Sequence, residues 1–415
     1  MQYILRAPEC LDATIQLPAS KSVCNRTLII QALAGSHVLP DNLSDCDDTR
    51  VLVSALRDMP EVVDIGAAGT AMRFMTAYLS ATAGEHVITG TDRMKQRPIG
   101  LLVDALRHLG ADISYVERTG FPPLRIKGQP LTGGRLEIPG NISSQYISAL
   151  LMIAPALRNG MELRLTGDII SRPYIDLTLW TMTEFGAEAE WSDIDTIRVA
   201  PKPYEPRPYR VENDWSAASY WYEMMALCPN VESRVVLPGL TDGSRQGDSV
   251  TRYIASLLGI KTTFVKDSAA PQVVLTKHRC TLPQLEYDFV SSPDLAQTFV
   301  VTCTLLGIPF HFKGLSSLKI KETDRIEALK KELRKLGYVL RDLNNSELVW
   351  DGSRCEASME PVDTYQDHRM AMAFAPAAFR FPDLRINDPQ VVSKSYPHFW
   401  QDLAAAGFTV SHSSL

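Results

Sequence analysis

The chain has 415 residues, of which 45% are hydrophobic and 22% charged, a balance that favours a folded protein with room for two domains. Its formal net charge of −6 argues against a general affinity for nucleic acid, and its seven cysteines, which form no CxxC pair, argue against a disulfide framework. Residues 1–21 lack the pattern of a signal peptide and the most apolar stretch, 299–310, is too short to span a bilayer, so we expect a cytoplasmic protein that contacts no membrane.

A short pattern recurs along the chain: an apolar helical segment, then a glycine, then a strand-like run. Glycine suits the position just past the end of a helix, where φ is positive. The glycines are separated by 76, 73, 78 and 70 residues and are Gly110, Gly186, Gly259, Gly337 and Gly407. A near-constant period indicates internal repeats.

Predicted helix starts fall in six pairs, each marked by Ser, Thr, Asp or Gly ahead of an apolar periodic run. The pattern predicts an α/β protein with six βαβα-type units, three in each of two domains. The alternative is a generic α/β protein without true repeats. The pairs are Lys21 and Asp48, Gly69 and Arg97, Ser143 and Arg172, Asp214 and Gly247, Asp294 and Glu322, and His368 and Lys394.

The first unit is shorter than the others. Asp48 and Gly69 are 21 residues apart, whereas Arg97 and Ser143 are 46 apart. Pro60 is well placed to end the preceding helix. We therefore expect this unit to lack about two strands, which leaves a smaller sheet with an exposed edge.

The first predicted helix combines a hydroxyl cap with basic residues. Ser20 is a candidate N-cap, Lys21 and Ser22 follow it, and Arg26 lies one turn further along. A lysine in the first turn opposes the helix dipole unless an anion lies there. For this motif alone, a lysine that simply faces solvent is an equally good interpretation.

Further helix starts in the same half carry groups that can bind an anion. Gly69 permits a close approach of the backbone, with Arg73 one turn beyond it, and Pro98 is expected at the first position of a helix that begins beside Arg97. The next two helix starts carry hydroxyl and amide groups, which belong to Ser143, Ser144, Gln145, Ser171 and Tyr174. For each serine, capping of its own helix is the simpler interpretation.

The second half of the chain supplies the acid and base candidates. Asp294 is placed at a helix start, and residues 319–326 form a dense charged run that could equally be a solvated helix face. The segment 367–370 precedes an apolar helix. The nine cations beside predicted helix starts indicate a ligand with several negative groups. They are Lys21, Arg26, Arg73, Arg97, Arg172, Lys321, Arg325, Arg369 and Lys394.

No spacing of cysteine and histidine indicates a metal site, and no GxGxxG motif follows a strand, so neither a metal nor another cofactor is expected.

The ordered set of motifs resembles the 5-enolpyruvylshikimate 3-phosphate synthase family over nearly the whole chain. The resemblance implies an α/β fold of two domains, each with three βαβαββ units around a pseudo-threefold axis, with the first unit shortened here. The implied domains are 1–19 with 213–415, and 20–212. The matching segments are LPASKSVCNR, AGTAMR, RPIG, SSQ, SRPYID, VENDWSAASY, SRQGD, PDLAQT, KETDR, DHRMAMA and SKSYP.

The resemblance also implies residue roles. Catalytic residues would be Asp294, Glu322, Lys21 and His368. Contacts to shikimate 3-phosphate would come from Lys21, Ser22, Arg26, Ser143, Ser144, Ser171, Tyr174, Asp294 and Lys321. Contacts to phosphoenolpyruvate would come from Lys21, Gly69, Arg97, Gln145, Arg325, Arg369 and Lys394.

The chain departs from the family pattern at five positions. They are Ala67 in place of Asn, Phe74 in place of Pro, Arg172 in place of Lys, Trp215 in place of a small residue, and Ser317 in place of Asn. The last change puts one hydrogen bond to the shikimate moiety in doubt.

The implied activity is transfer of the enolpyruvyl group of phosphoenolpyruvate to shikimate 3-phosphate by a monomer that needs no cofactor. One rival is the sister family that acts on UDP-N-acetylglucosamine, whose loop cysteine has no counterpart in a matching context here. The other is a protein that binds phosphorylated metabolites without catalysis. Retention of both Asp294 and Glu322 argues against the second.

Overall fold

The structure is a computed structural model that describes residues 1–36, 38–265 and 271–412. Strands are short and spread along the whole chain. They are β1 (Gln2–Arg6), β2 (Asp12–Thr14), β3 (Val62–Asp64), β4 (Gly84–Thr89), β5 (Asp112–Tyr115), β6 (Leu124–Gly128), β7 (Gly134–Pro139), β8 (Met161–Thr166), β9 (Ala189–Trp191), β10 (Thr196–Val199), β11 (Arg234–Pro238), β12 (Ile260–Val265), β13 (Gln272–Lys277), β14 (Leu285–Asp288), β15 (Phe310–Lys313), β16 (Arg341–Leu343), β17 (Glu347–Trp350), β18 (Leu384–Asn387) and β19 (Thr409–His412).

Helices alternate with these strands. They are α1 (Lys21–Leu33), α2 (Asp47–Asp58), α3 (Gly69–Ala81), α4 (Asp92–Lys95), α5 (Gly100–His108), α6 (Ser144–Ile153), α7 (Arg172–Glu184), α8 (Trp215–Leu227), α9 (Thr251–Leu257), α10 (Ala296–Leu306), α11 (Arg325–Lys335), α12 (His368–Phe374) and α13 (Phe399–Ala405). No helix of the described ranges is both long enough and apolar enough to cross a bilayer.

The chain divides into two compact units. Unit 1 comprises Met1–Pro18 and Glu212–Leu415, and unit 2 comprises Ala19–Val211. Each unit has an apolar core of its own, built around almost fully buried helices: α8, α10 and α12 in unit 1, and α3 and α6 in unit 2.

Four sheets share one strand order, which confirms the predicted βαβαββ repeat. In the sheet β7-β8-β10-β9, the first two strands are parallel and the other neighbours are antiparallel. Helix α6 joins β7 to β8, and α7 joins β8 to β9. The same order and the same parallel pair recur in β3-β4-β6-β5, β14-β15-β17-β16 and β2-β11-β13-β12.

The last repeat is completed by the start of the chain. Its sheet has the order β18-β1-β19, and β1 is antiparallel to both neighbours, so that Ile4 lies opposite Arg385 on one side and Ser411 on the other. Val362 adds a single parallel bridge to Ile386, at the place where the other repeats have their first strand. In the other sheets this middle position belongs to the last strand of the repeat, which follows the edge strand in the chain. Here β1 occupies that position, and β19 is the edge strand.

The first repeat lacks the final strand pair, as predicted. Residues 38–69 are all described and contain one strand, β3, which pairs with β4 of the next repeat. Met59 ends α2 in the left-handed region at φ 38°, and Pro60 cannot continue the helix. The smaller sheet that we expected for this repeat is reduced to one parallel bridge, Asp41 to Arg210, because no hairpin is present to pair with it.

The five periodic glycines all have positive φ, as predicted for residues just past a helix. The angles lie between 85° at Gly186 and 105° at Gly110. A residue with a Cβ pays a steric penalty in this region, whereas glycine does not. The glycine period therefore reports the end of the second helix in five of the repeats.

Three predicted helix starts are wrong by several residues. Helix α5 begins at Gly100, so Pro98 is not its first residue and Arg97 lies in the preceding turn. Helix α11 begins at Arg325, because Asp324 and not Glu322 caps it by accepting from the amide of Glu327. Lys394 ends a 3₁₀ segment, and α13 begins only after Pro397, whose ring disfavours helical geometry in the residue before it.

One buried carboxyl in α8 has no evident part in a site. Glu223 is 2% exposed in the core of unit 1, and burial raises the pKa of its carboxyl well above the usual range. The folded state then holds this proton more tightly than the unfolded chain does. The group therefore costs stability as the pH rises from the unfolded-state pKa of about 4.3 toward the higher folded-state value.

Glu223→Gln, which keeps the shape and removes the titration, is expected to raise the free energy of unfolding at pH 8 by about 1 kcal/mol or more. The gain should shrink toward pH 4.5. Denaturant unfolding at both pH values measures it, with Glu356→Gln, at an exposed carboxyl of the same unit, as the control. An equal gain at the two pH values would contradict the assignment of the effect to ionisation.

Candidate functional site

Arg325 lies at the centre of a group of carboxylates in unit 1. Its Nε donates to Asp367 Oδ2 at 2.7 Å, its Nη1 to Asp294 Oδ1 at 2.9 Å, and its Nη2 to Glu322 Oε2 at 2.9 Å. The Arg325 side chain is 2% exposed. We call Arg325, Asp294, Glu322 and Asp367 the Arg325 cluster.

Three more cations surround two of these carboxylates. Lys321 Nζ lies 3.5 Å from Asp294 Oδ1, and Arg369 Nη2 lies 3.1 Å from Asp294 Oδ2. Lys394 Nζ donates to Glu322 Oε1 at 2.8 Å.

The carboxylates of the Arg325 cluster differ in accessibility. The side chains of Asp294 and Glu322 are 18% and 16% exposed, whereas that of Asp367 is fully buried. Asp294 and Glu322 are therefore the two carboxylates of this cluster that a ligand can touch. The structure thus brings the acid and base candidates together with four of the predicted phosphoenolpyruvate and shikimate 3-phosphate cations.

Asp294 is held in its ionised form. Burial alone would raise the pKa of its carboxyl, but Arg369, Lys321 and Arg325 outweigh burial and hold the pKa well below its usual range. Asp294 can accept a hydrogen bond from a hydroxyl group without first losing a proton.

His368, predicted among the catalytic residues, lies behind the cluster. It is 2% exposed, and its Nδ1 lies 3.7 Å from Asp367 Oδ1. Asp367 also caps α12 by accepting from the amide of Arg369. This burial favours support of Asp367 over direct contact of the imidazole with a ligand.

Arg26 is a buried cation in unit 2 whose hydrogen-bond partners are all neutral. Its guanidinium donates to Thr178 Oγ1 at 2.7 Å, to Ser148 Oγ at 3.0 Å, and to the backbone oxygens of Ser22 and Tyr174. Burial lowers its pKa to about 10. A buried cation paired only with neutral groups favours an anionic ligand.

The N-terminal turns of α1, α3 and α6 carry further predicted groups of unit 2. Lys21 Nζ lies 3.3 Å from Asp48 Oδ2 at the start of α2, and Ser20 caps α1 as predicted. Gln145 Nε2 donates to Thr70 Oγ1 at 3.0 Å, which joins the first turn of α6 to that of α3.

Gly69 and Arg97 lie in direct contact. A Cβ placed on Gly69 would be 2.6 Å from Nη1 of Arg97, a distance that real side chains do not adopt. The guanidinium of Arg97 therefore packs against the Gly69 backbone, and a side chain at position 69 would displace it.

Ser143 and Ser171 differ in how their hydroxyls are used at the helix starts. Ser143 caps α6 by accepting from the amide of Gln145, and Ser144 is the first residue of that helix. Ser171 precedes α7 with a left-handed φ of 54° and its hydroxyl forms no cap, contrary to the plain capping interpretation. Its hydroxyl is thus not used by its own helix.

Several groups that bind the predicted site residues were not predicted from the sequence. Asp367 pairs with Arg325, and Asp48 pairs with Lys21. Both aspartates lie at helix starts, where an aspartate is usually interpreted as a residue that only stabilises the helix end. The other missed partners are Ser148 and Thr178, whose hydroxyls accept from Arg26.

Three of the departures from the family pattern have a structural account. Phe74 is fully buried, and its ring centroid lies 5.5 Å from the Arg26 guanidinium. Trp215 fills the core of unit 1, and its indole donates to Glu212 Oε1. Arg172 stacks at 3.9 Å on the Trp191 ring. Nothing in the structure explains Ala67 or Ser317.

Within the described residues, no group of three or more His, Cys, Asp and Glu side chains is arranged to hold a metal ion.

Comparison with known proteins identifies the family. A sequence profile of EPSP synthase (3-phosphoshikimate 1-carboxyvinyltransferase) matches residues 58–403. A 3-phosphoshikimate 1-carboxyvinyltransferase of Bacteroides fragilis is 58% identical over 411 residues, covering 99% of each chain. One from Shewanella halifaxensis is 33% identical, covering 95% of this chain and 97% of its own.

Solved structures agree on the fold. EPSP synthase from Acinetobacter baumannii superimposes with a TM-score of 0.77 at 19% identity, covering 99% of this chain and all of its own. The enolpyruvyl transferase NikO from Streptomyces tendae gives a TM-score of 0.71 at 16% identity, covering 99% and 98%. The fold, the full-length identity and the ordered motifs lead to one conclusion: the chain belongs to the EPSP synthase (3-phosphoshikimate 1-carboxyvinyltransferase) family of the shikimate pathway.

Proposed function

We propose that the chain transfers the enolpyruvyl group of phosphoenolpyruvate to the 5-hydroxyl of shikimate 3-phosphate, by addition and elimination through a tetrahedral intermediate. The observation that carries the proposal is the Arg325 cluster, in which two accessible carboxylates are held beside cations. Two positioned carboxylates can serve as a base and an acid in one reaction.

In the addition step, the 5-hydroxyl oxygen bonds to C2 of phosphoenolpyruvate and its proton passes to Asp294. The methylene carbon receives a proton from Glu322, which takes up this proton from solvent before the step and so enters it as the carboxylic acid. In the elimination step, phosphate leaves C2, the methyl group returns a proton to Glu322, and the double bond is restored. The proton taken up by Asp294 leaves with the phosphate, and Lys21 shares in proton transfer.

Asp294 can act as a base only if its basicity rises when substrate binds, because its pKa in the free protein is well below the usual range. The cations that lower this pKa are Arg369, Lys321 and Arg325. An anionic substrate beside them would offset their charge and let the carboxylate take up a proton. Phosphoenolpyruvate carries a phosphate and a carboxylate, and both are anions that can offset this charge.

Three cations beside Asp294 and Glu322 are proposed to hold the phosphate and carboxylate of phosphoenolpyruvate: Arg325, Arg369 and Lys394. In unit 2 we assign Lys21, Gly69, Arg97 and Gln145 to phosphoenolpyruvate. The shikimate 3-phosphate contacts are assigned to Lys21, Ser22, Arg26, Ser143, Ser144, Ser171, Tyr174, Asp294 and Lys321. The buried Arg26, with only neutral partners, supports a phosphate ligand in unit 2.

We also propose that the protein acts as a monomer in the cytoplasm. All seven cysteines are free, which suits a reducing compartment. Light scattering on purified protein should give the mass of one chain, and the mass of two chains would contradict the proposal.

The function is tested by measuring phosphate release. We expect release only when shikimate 3-phosphate and phosphoenolpyruvate are both present, because phosphate leaves only from the tetrahedral adduct. Equal turnover with UDP-N-acetylglucosamine as the acceptor would place the activity in the sister family. No release with either acceptor would favour a binding protein without catalysis.

A further inference from the structure

The peptide that follows Arg97 is held by two buried side chains of unit 2. The backbone oxygen of Pro98 accepts a hydrogen bond from the hydroxyl of Tyr146, in α6. The same oxygen lies 3.4 Å from Nη2 of Arg73, in α3. Tyr146 is 7% exposed and Arg73 is 4% exposed, so both donors are buried side chains.

Arg73 joins this peptide to the turn that contains Gly69. Its Nη1 donates to the backbone oxygen of Gly69 at 3.0 Å and contacts Met94 Sδ at 3.6 Å. Its guanidinium carbon lies 5.7 Å from the centroid of the Tyr146 ring. One guanidinium therefore bonds the first residue of α3 and the residue after Arg97, and it lies against the ring of Tyr146.

The position of Arg97 depends on these two peptides. Its Nη1 would be 2.6 Å from a Cβ on Gly69, so the guanidinium already lies at the closest approach to the backbone of that residue. Arg97 is partly exposed and belongs to a turn outside helices α4 and α5. Its amide donates to the backbone oxygen of Met94 in α4 at 3.0 Å. The bonds that Arg73 and Tyr146 make to Pro98 and Gly69 connect this turn to α3 and α6.

We propose that Tyr146 and Arg73 are positioning residues for phosphoenolpyruvate: through the Pro98 oxygen they hold the Arg97 guanidinium over Gly69, aimed at the substrate anion. The inference rests on the proposed contact of Arg97 with phosphoenolpyruvate. Neither side chain touches the substrate in this scheme. The hydroxyl of Tyr146 matters because a phenylalanine would fill the same space in the core and leave the Pro98 oxygen with one donor fewer.

The test compares two tyrosine-to-phenylalanine variants. Tyr146→Phe should raise the KM for phosphoenolpyruvate about tenfold, with the KM for shikimate 3-phosphate within about twofold of wild type. Tyr204→Phe is the matched control, because the Tyr204 hydroxyl donates at 2.8 Å to the backbone oxygen of Met152, buried in the same unit. It should lower the Tm by a similar amount and change neither KM.

A second arm separates positioning from general loosening. In an Arg97→Ala background, Tyr146→Phe should raise the KM for phosphoenolpyruvate no further, because the side chain that it positions is gone. Arg73→Lys, which loses the planar fork, should act in the same direction as Tyr146→Phe.

Three results would overturn the inference: an unchanged KM in Tyr146→Phe, an equal rise in Tyr204→Phe, or an undiminished effect in the Arg97→Ala background. If Arg97→Ala alone leaves the KM for phosphoenolpyruvate unchanged, the proposed contact of Arg97 with phosphoenolpyruvate is wrong, and the inference that rests on it is wrong as well. If Arg97→Ala raises that KM and Tyr146→Phe does not, only the inference fails.

Discussion

Replacing Asp294 by asparagine, or Glu322 by glutamine, is expected to lower kcat by roughly 10²–10⁴, the usual contribution of a positioned base or acid. The KM for phosphoenolpyruvate should change less. Each amide keeps the shape of the carboxyl and can still accept from the neighbouring cations, but it cannot exchange a proton at the reacting atoms. Alanine at either position should lower kcat at least as much. Steady-state kinetics with both substrates measures these effects.

Glu332→Gln is the matched control for both variants. Glu332 is a fully buried carboxylate of α11, and it pairs with Lys335 at 2.7 Å away from the Arg325 cluster. Its replacement should reduce stability and leave kcat within about twofold. Near-wild-type kcat in Asp294→Asn or Glu322→Gln would mean that the carboxylate only balances charge.

Arg325→Met is expected to lower the free energy of unfolding at pH 7 by roughly 3–5 kcal/mol, and to abolish activity. The guanidinium bonds three carboxylates, and its side chain is 2% exposed. Without it, those carboxylates face one another in a poorly hydrated site. Chemical denaturation of the two proteins measures the difference.

The loss of stability in Arg325→Met is expected to depend on pH. In the variant, Asp294 loses one of the three cations that hold the pKa of its carboxyl low, so that this pKa is higher than in the wild-type protein. Groups with raised pKa values cost more stability as the pH rises, so the difference from wild type should be largest at pH 7 and shrink toward pH 4.5. A difference that is independent of pH would point to lost packing of the arginine stem instead.

Arg6→Met controls for removal of an ordinary arginine. Arg6 pairs with Asp383 through two hydrogen bonds in the same unit, but the two side chains are 64% and 53% exposed. Exposed pairs contribute little to stability because water screens them, so this variant should remain close to wild type. A loss comparable to that of Arg325→Met would contradict the importance of burial.

The sequence by itself determined the features that depend on a few neighbouring residues. The glycine period marked helix ends, because positive φ is a property of one residue, and all five glycines have it. Pro60 and the short interval to Gly69 showed that the first repeat lacks a hairpin. Ser20, Ser143 and Asp214 cap helices as their positions indicated, since a cap bonds an amide only two or three residues away. The family and the fold, which are both confirmed, could be predicted for the same reason, because the matching motifs lie at these helix starts.

Only the tertiary structure decided which groups meet. Arg26 bonds Ser148 and Thr178, which are 122 and 152 residues away, and β1 completes a sheet with β18 and β19 from the other end of the chain. The run that contains Glu322 and Arg325 could have been a solvated helix face, because composition does not show that Asp294 and Asp367 pack against it. A charge pair across many residues leaves no period or spacing in the sequence, and its energy depends on the burial that packing creates.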